Sequence, residues 1–455
     1  MTMMVRVSAP ATVANLGPGF DAMGMAVGVH CIFEARSSGD GDGITICAHG
    51  VDGEKILNGQ DNFVVKAMRA VESRSGHFLP PITIDILNQI PLARGMGSSA
   101  AAIVGGAVLA NEILGRPLSA DQLLDIAAAI EGHPDNVAPA LMGGLVASSK
   151  VDGRVISIKA PISVGRRIKV VIAVPAFEIR TEDARRILPA QVPLGDAVFN
   201  VSRTAILISA LSSGKLDLLK PAMEDRLHQP YRSKLVPGLE DVFASAIAAG
   251  ALGVALAGSG PSVVALATQA EEKIAFNMVQ AFQRHGTSAI SFITTIETRG
   301  ARVLNVADLE LAKSLLSERQ LGLIFVKDGS VIFESRGSGV KPVLDAFMQI
   351  GTGLEGSSCA DKVLGRASGA VLRSAGVDQV FARVAREKAL HELQVSGIYA
   401  EAGEIVDIVL NRDRSGPCPF ELMVGDETDP DRILEMLKER LGYSAKRDDD
   451  VEGKE

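Results

Sequence analysis

One run, Pro91-Leu92-Ala93-Arg94-Gly95-Met96-Gly97-Ser98-Ser99-Ala100-Ala101, constrains this chain more than any other stretch. Gly95 and Gly97 free the backbone for steep turns and for close approach to a ligand. Ser98 and Ser99 open a small-residue helix, predicted from Ala100 to about Leu114, which Gly115 and Pro117 stop. A helix start offers unpaired N–H groups and a partial positive charge, so an anion settles there. The run therefore reads as a phosphate cradle with a nucleoside triphosphate at the mouth of the helix. It is not a Walker loop, because no Lys lies between Ala93 and Asn111. It is not a dinucleotide fingerprint either, because the third Gly is missing. An ordinary strand-to-helix turn carries similar residues, so the cradle alone leaves both readings open.

Bulk properties exclude several classes. The chain has 455 residues, which suggests two or three folded units, and 47% apolar residues supply a sizeable core. A net charge of −8 argues against a general nucleic-acid binder. Trp is absent and Tyr occurs three times, which disfavours a base-stacking platform. Cys31, Cys47, Cys359 and Cys418 are far apart and form no CxxC unit, as expected of reduced thiols in the cytoplasm. Met1 to Asn15 lacks the pattern of a signal peptide, and no uninterrupted apolar run reaches the ~18 residues of a membrane span. A soluble cytoplasmic protein, bound neither to nucleic acid nor to membrane, is the expectation.

The chain divides on texture into residues 1–160, 161–304, 305–443 and a charged, mobile tail 444–455. The first segment predicts a strand over Val5–Ser8, a loop from Pro10 to Asp21, a helix capped by Asp61 or Asn62 and running to Ser73, and a strand through Thr83, Ile84, Ile86 and Ile90. The second predicts a strand over Ile168–Val174, helices near Ala197–Leu211 and Leu216–Arg226, and a Gly-rich turn Gly258-Ser259-Gly260-Pro261-Ser262 between two apolar runs. Those runs fit paired strands or a helix-to-strand junction. The third predicts an amphipathic helix over Asp308–Arg319 and a hairpin around Asp328-Gly329. The class is α+β.

Four stretches occur in an order that carries more than any one of them: Ser8 to Asp21, the cradle, Glu131-Gly132-His133-Pro134-Asp135-Asn136-Val137-Ala138-Pro139, and Gly258-Ser259-Gly260-Pro261. Together they resemble the ordered motifs of the GHMP small-molecule kinases. Thr181 to Pro189, Gln229-Pro230-Tyr231-Arg232 and Gly300-Ala301-Arg302-Val303-Leu304 are similar, more narrowly, to homoserine kinases. The resemblance covers about residues 5–304 and implies a two-domain kinase fold. It also implies phosphorylation of the L-homoserine hydroxyl to O-phospho-L-homoserine for threonine synthesis, with ATP and Mg²⁺ required and a homodimer allowed.

Residue by residue, the resemblance places ATP against Pro91 to Ala101 and the metal on Ser99 and Glu131. Homoserine falls to Asn15, Asp21, Asn136, Arg185 and Arg232. The chemistry of these types agrees. A hydroxyl and a carboxylate suit a metal bound to phosphate. Guanidinium groups grip a carboxylate with two bonds, and Asp21 suits an ammonium. Arg186 is a rival to Arg185. Asn136 stands where related mevalonate-type kinases carry a carboxylate, and an amide takes no proton at neutral pH. Catalysis is therefore expected to rest on positioning by Asn136, Glu131 and Ser99, without a side-chain general base; His133 and Asp135 are the challengers. The compact spacing from Glu131 to Asn136 departs from family members with a longer insertion there. Another GHMP kinase with a different alcohol substrate, and a silent ligand-binding relative, remain as alternatives.

Val326-Lys327-Asp328-Gly329, Gly339-Val340-Lys341-Pro342, Ala360 to Gly365 and Asn411-Arg412-Asp413 resemble the uncharacterised DUF1893 family, which implies a cytidine-deaminase-like α/β/α fold. Zinc deaminases use [His/Cys]-x-Glu and Pro-Cys-x-x-Cys. Here Cys359-Ala360-Asp361 and Pro417-Cys418-Pro419-Phe420-Glu421 stand in their place. Either Cys359, Cys418 and Glu421 hold zinc, or both thiols are small buried hydrophobes in a degenerate fold, the preferred reading. The fusion itself suggests a regulatory role for this unit.

Overall fold

A computed structural model of the chain describes residues 3–38, 43–57, 62–163, 165–411, 413 and 415–443. The expected tail, Asp61 and Arg412 lie outside these. Two compact units emerge, Met1–Val303 and Leu304–Glu455.

The first unit begins with a strand longer than the sequence suggests. β1 (Met4–Ala14) pairs antiparallel with β2 (Met23–Ser37), and the register shifts between Pro10 and Ala11. The expected loop from Pro10 is thus strand as far as Ala14. A proline gives no ladder N–H, and a bulge lets the strand carry one. The turn comes later, where Asn15, Leu16 and Asp21 take positive φ of 71°, 47° and 54°. β3 (Ile44–Gly50) lies parallel to β4 (Ile82–Asn88), and β4 alternates buried and half-buried residues. β5 (Leu145–Val151) and β6 (Arg154–Ala160) extend the sheet from β2.

The cradle helix is Ser98–Ile113. Its small residues are a packing requirement. A Cβ on Gly105 would stand 2.2 Å from the Phe33 ring, and one on Gly106 would stand 2.7 Å from the Val64 carbonyl oxygen. Phe33 and the helix Phe63–Ser75 both close on this face, around Met68, Ile84 and Ile103. Asn62 caps the helix Phe63–Ser75 with its carboxamide oxygen, accepting from Val64 N at 2.9 Å and Val65 N at 3.3 Å.

A second sheet joins β7 (Lys169–Pro175), β8 (Gly253–Leu256), β9 (Val263–Ala267) and β10 (Ala289–Thr295) in the order β10-β7-β9-β8. The Gly258 turn therefore joins paired antiparallel strands. β11 (Arg302–Leu304) lies beside β1. The helix expected over Leu216–Arg226 is broken into a 3₁₀ turn, Leu216–Leu218, and a short helix, Leu219–Ala222. Met223 to Arg226 fall outside it, and the Asp225 carboxylate accepts the N–H groups of Leu227, His228 and Gln229 at the entry to the next short helix, Gln229–Arg232. The helix Leu194–Ser213 is long and apolar enough to cross a membrane by length and composition. Here it packs Leu207 and Leu211 into the core and donates from Asn200 Nδ2 to the Pro18 carbonyl oxygen at 3.1 Å.

In the second unit, β12 (Leu323–Lys327) and β13 (Ser330–Ser335) form the predicted hairpin, with Asp328 and Gly329 at φ 51° and 74°. The Asp308 carboxylate on the helix Val306–Glu318 accepts from both turn N–H groups at 2.8 Å. β14 (Ser358–Leu364), β15 (Gln379–Arg386) and β16 (Tyr399–Val406) run parallel. One face of this sheet packs the helices Val340–Ile350, Arg366–Ala375 and Pro430–Leu441, and the other packs Ala312 and Leu316 of Val306–Glu318. The result is the expected α/β/α layering.

Cys359 lies on β14 inside the core, where burial pushes its thiol up, and Cys418 sits at the N-cap of the helix Pro419–Val424. Glu421 accepts from Arg386 at 2.6 Å and faces the Ala367 N–H. Among the described residues, no three His, Cys, Asp or Glu side chains are grouped to hold a metal ion.

Candidate active site

A cavity of about 830 Å³ lies within the first unit. At one end the cradle is stitched to its surroundings by backbone bonds, Thr12 N to Met96 O at 3.1 Å and Ser262 N to Arg94 O at 3.3 Å, and beside it Gly258 N donates to Ala14 O at 3.2 Å. The glycines permit this closeness. A Cβ on Gly97, at φ 63°, would stand 1.9 Å from Thr12 Oγ1, and one on Gly95, at φ 77°, would stand 2.2 Å from Ala257 O. Gly97 caps the helix with no side-chain acceptor. The first helical bond runs from Ala101 N to Gly97 O at 2.9 Å, so the N–H groups of Ser98, Ser99 and Ala100 precede it.

Leu92, Ala93, Arg94, Gly95, Gly97, Ser98 and Ser99 line the cavity; Pro91, Met96, Ala100 and Ala101 do not. Met96, Ala100 and Ala101 turn their side chains into the core instead. Arg94 faces Asp52 at 3.7 Å and Glu178 at 3.8 Å, and its Nη2 donates to Ala176 O at 3.3 Å.

Ser99 Oγ donates to Glu131 Oε1 at 2.7 Å beside these amides. Burial pushes the Glu131 carboxyl above the ordinary carboxylate range, against the opposing hydrogen bond from Ser99. Pro134–Met142 is the next helix, and it carries Asp135 and Asn136 in its first turn. Asn136 Oδ1 accepts from Thr12 Oγ1 at 2.8 Å, which leaves Nδ2 as the donor side of the amide. His133 pairs with the buried Asp135 carboxylate. Burial alone would lower the imidazole pKa, but the Asp135 bond and the negative charges of Asp135 and Glu131 raise it.

At the far end, Arg185 donates from Nη1 and Nη2 to the two oxygens of Asp21 at 2.9 and 2.8 Å. Arg232 is 2% exposed; its Nε donates to Ala184 O at 3.2 Å and its Nη1 to Gly258 O at 2.9 Å. Burial, and then the charge of Arg185, push Arg232 down to about 10, which leaves it charged at neutral pH. Asn15 donates from Nδ2 to Gly258 O at 3.0 Å and accepts from Asp21 N at 3.0 Å. All five residues expected at homoserine line this one cavity, with Ser99 and Glu131. Arg186 does not; it is exposed and donates to Asp183 at 3.0 Å.

Sequence reasoning passed over Thr12, Phe20, Asp225 and His228. Phe20 stacks on His228 at 5.1 Å, with the Arg185 and Arg232 guanidinium groups 5.9 and 5.3 Å from its ring. The signal for His228 was its spacing of four from Arg232, one helical turn.

Residues 62–144 match the family model for the GHMP kinases N-terminal domain, and 207–285 match that for the C-terminal domain. Homoserine kinase of Moorella thermoacetica is 46% identical over 283 residues, 62% of this chain and 94% of the relative. That of Carboxydothermus hydrogenoformans is 45% identical over 298 residues, 66% of this chain and 96% of the relative. The chain belongs to the homoserine kinase family. The crystal structure of homoserine kinase from Cytophaga hutchinsonii matches with a TM-score of 0.61 and 34% identity, covering 66% of this chain and 97% of its own. Beyond the part that these homoserine kinases share with it, residues 311–441 of the chain match a domain of unknown function, DUF1893.

Proposed function

We propose that the first unit transfers the γ-phosphoryl group of ATP to the side-chain hydroxyl of L-homoserine, giving O-phospho-L-homoserine. The reading rests on one juxtaposition: a set of orphan helix N–H groups and a paired Asp21–Arg185 line the same cavity, with Asn136 among the lining residues. The N–H groups of Ser98 and Ser99 hold phosphate oxygens, and Leu92 to Gly95 with Gly97 wrap the rest. Arg185 and the free terminal nitrogen of Arg232 take the α-carboxylate; Asp21 takes the α-ammonium. Asn15 fixes the Asp21 backbone and the Gly258 carbonyl, and so shapes the site.

Ser99 and Glu131 fit Mg²⁺. They are hard oxygen donors already in contact, and a carboxylate kept above its ordinary pKa by burial gains most from a cation. Bound there, Mg²⁺ neutralises charge on the phosphates. Asn136 Nδ2 donates to the reacting hydroxyl oxygen and turns that oxygen's remaining lone pair to the γ-phosphorus; the new O–P bond forms as the bond to the ADP oxygen breaks, and the hydroxyl proton passes to an oxygen of the transferred phosphoryl group. Asn136 offers no proton acceptor at neutral pH, so alignment and charge neutralisation supply the catalysis, with His133 held by its bond to Asp135. The kinase spans residues 1–304, with a division near 160, and residues 305–443 form the DUF1893-like domain. With Cys31, Cys47, Cys359 and Cys418 all unpaired, the cytoplasm is the fitting compartment.

A panel of small alcohols tested for ADP release checks the reading. L-Homoserine stands far above mevalonate and L-serine; equal turnover of mevalonate would replace this substrate with another alcohol.

A further inference from the structure

We infer that His228 is the residue that positions Arg232 for the substrate carboxylate, holding its guanidinium through the Nδ1 lone pair of the Nε2–H tautomer. This rests on the assignment of Arg232 to that carboxylate.

Two neighbours fix the tautomer. His228 Nε2 lies 2.7 Å from the Gly17 carbonyl oxygen, which only accepts, so Nε2 carries the hydrogen. Arg232 Nη1 lies 3.3 Å from Nδ1, and a guanidinium only donates, so Nδ1 carries the lone pair. A charged imidazolium would turn an N–H toward an N–H here and lose the bond. The side chain is fully buried and stacks on the Phe20 ring.

The surroundings hold the ring in place. Asp225 Oδ2 stands 3.5 Å from Nε2 and also accepts the His228 and Gln229 N–H groups at 3.0 and 2.6 Å. Asp21 and Arg185 are the next charges out. Burial outweighs the pull of Asp225 and keeps the imidazole below its ordinary pKa, hence neutral. With Nε on Ala184 O and Nη1 shared between Gly258 O and His228, the guanidinium plane is set before substrate arrives.

The test separates the two nitrogens in the full-length protein. In His228→Asn the amide reaches the place of Nδ1 and can accept from Arg232. In His228→Gln it reaches the place of Nε2 and can serve only Gly17. The homoserine KM rises about tenfold or more in H228Q and stays within about threefold in H228N, with the ATP KM unchanged in both. Equal effects of the two variants, or parallel rises in both KM values, overturn the inference. In the unmodified protein, nitrogen-15 spectra place the His228 proton on Nε2; a proton on Nδ1 or an imidazolium at neutral pH sinks it without any variant. Arg232→Met separates the two layers: if it leaves the homoserine KM unchanged, the carboxylate assignment fails, whereas a raised KM in R232M beside a normal H228Q removes only the role of His228.

Discussion

Asp21 and Arg185 meet through two parallel hydrogen bonds, 2.8 and 2.9 Å long, that join residues 164 positions apart in sequence. The carboxylate and guanidinium proposed for opposite ends of a zwitterion thus hold each other's geometry. Homoserine exchanges one ion pair for two, and a ligand with only one of its charges leaves a partner unmatched. Asp21→Ala and Arg185→Ala are each expected to lower kcat/KM for homoserine by about 10²-fold or more while the ATP KM stays put. The double variant should be little worse than the poorer single one, because the first change already frees its partner. Strict additivity of the two effects would show the residues acting separately.

Glu131 offers a trade between stability and activity. Its carboxyl is held above the ordinary range by burial, against the hydrogen bond from Ser99. Removing the charge relieves the folded state, so Glu131→Gln should unfold at the same temperature or a few degrees higher. Its turnover should fall by about 10²-fold or more if the carboxylate serves the metal-bound triphosphate. A matched loss of Tm and activity would point to a purely structural Glu131.

Much of this was legible in the sequence, for a physical reason. The cradle, Ser99, Glu131 and Asn136 lie in short local motifs whose order carries the resemblance to homoserine kinases and whose residue types suit that chemistry, and the structure gathers most of the cradle with Ser99, Glu131 and Asn136 in one cavity with Asn15, Asp21, Arg185 and Arg232. Long-range support was not legible. Nothing local to Thr12 says that its hydroxyl will orient Asn136 from 124 residues away. Asp225 looked like part of a helix and is instead an acceptor of three N–H groups at the entry to the next one. Pro10 looked like a loop residue because the bulge that accommodates it is a property of the pair β1–β2, not of either strand.

The cradle glycine is testable on its own. Gly97→Ala places a methyl 1.9 Å from Thr12 Oγ1 at a positive φ of 63°. Either the loop lifts away from β1, taking the phosphate-binding amides with it, or Thr12 gives up Asn136. The ATP KM is expected to rise about tenfold or more. Adding Thr12→Ala removes the clash but not the backbone strain, so part of the loss should return. Full activity in Gly97→Ala alone would mean that the amides do not need the loop so close.

Catalysis without a side-chain base predicts a particular pH profile. Burial lowers the His133 pKa, but the Asp135 bond and nearby negative charge outweigh it, so the imidazole loses its proton above its ordinary range. The rate of the chemical step should therefore not rise steeply as His133 loses its proton above its ordinary pKa near 6.5. His133→Gln should keep kcat within about tenfold. A base-limited step would instead climb tenfold per pH unit through the His133 pKa and lose that limb in H133Q.

The second unit carries a pH signature of its own at Asp361. This side chain is 1% exposed on β14, and burial pushes its carboxyl up to about 7 against the Val363 and Lys362 N–H bonds. An unfolded aspartate titrates near 3.9. The folded state therefore binds the proton more tightly, and between about pH 4 and 7 the unfolded chain holds fewer protons than the folded one. Stability of this unit must then fall as pH rises through that window and level off above it, by a few kcal/mol in all. Asp361→Asn keeps the size, drops the charge and should flatten the slope, so that the variant is the more stable protein at pH 8. Denaturant unfolding followed at pH 5 and pH 8 reads this directly; a unit that gains stability on going to pH 8 would mean that Asp361 is ionised and partnered in the fold.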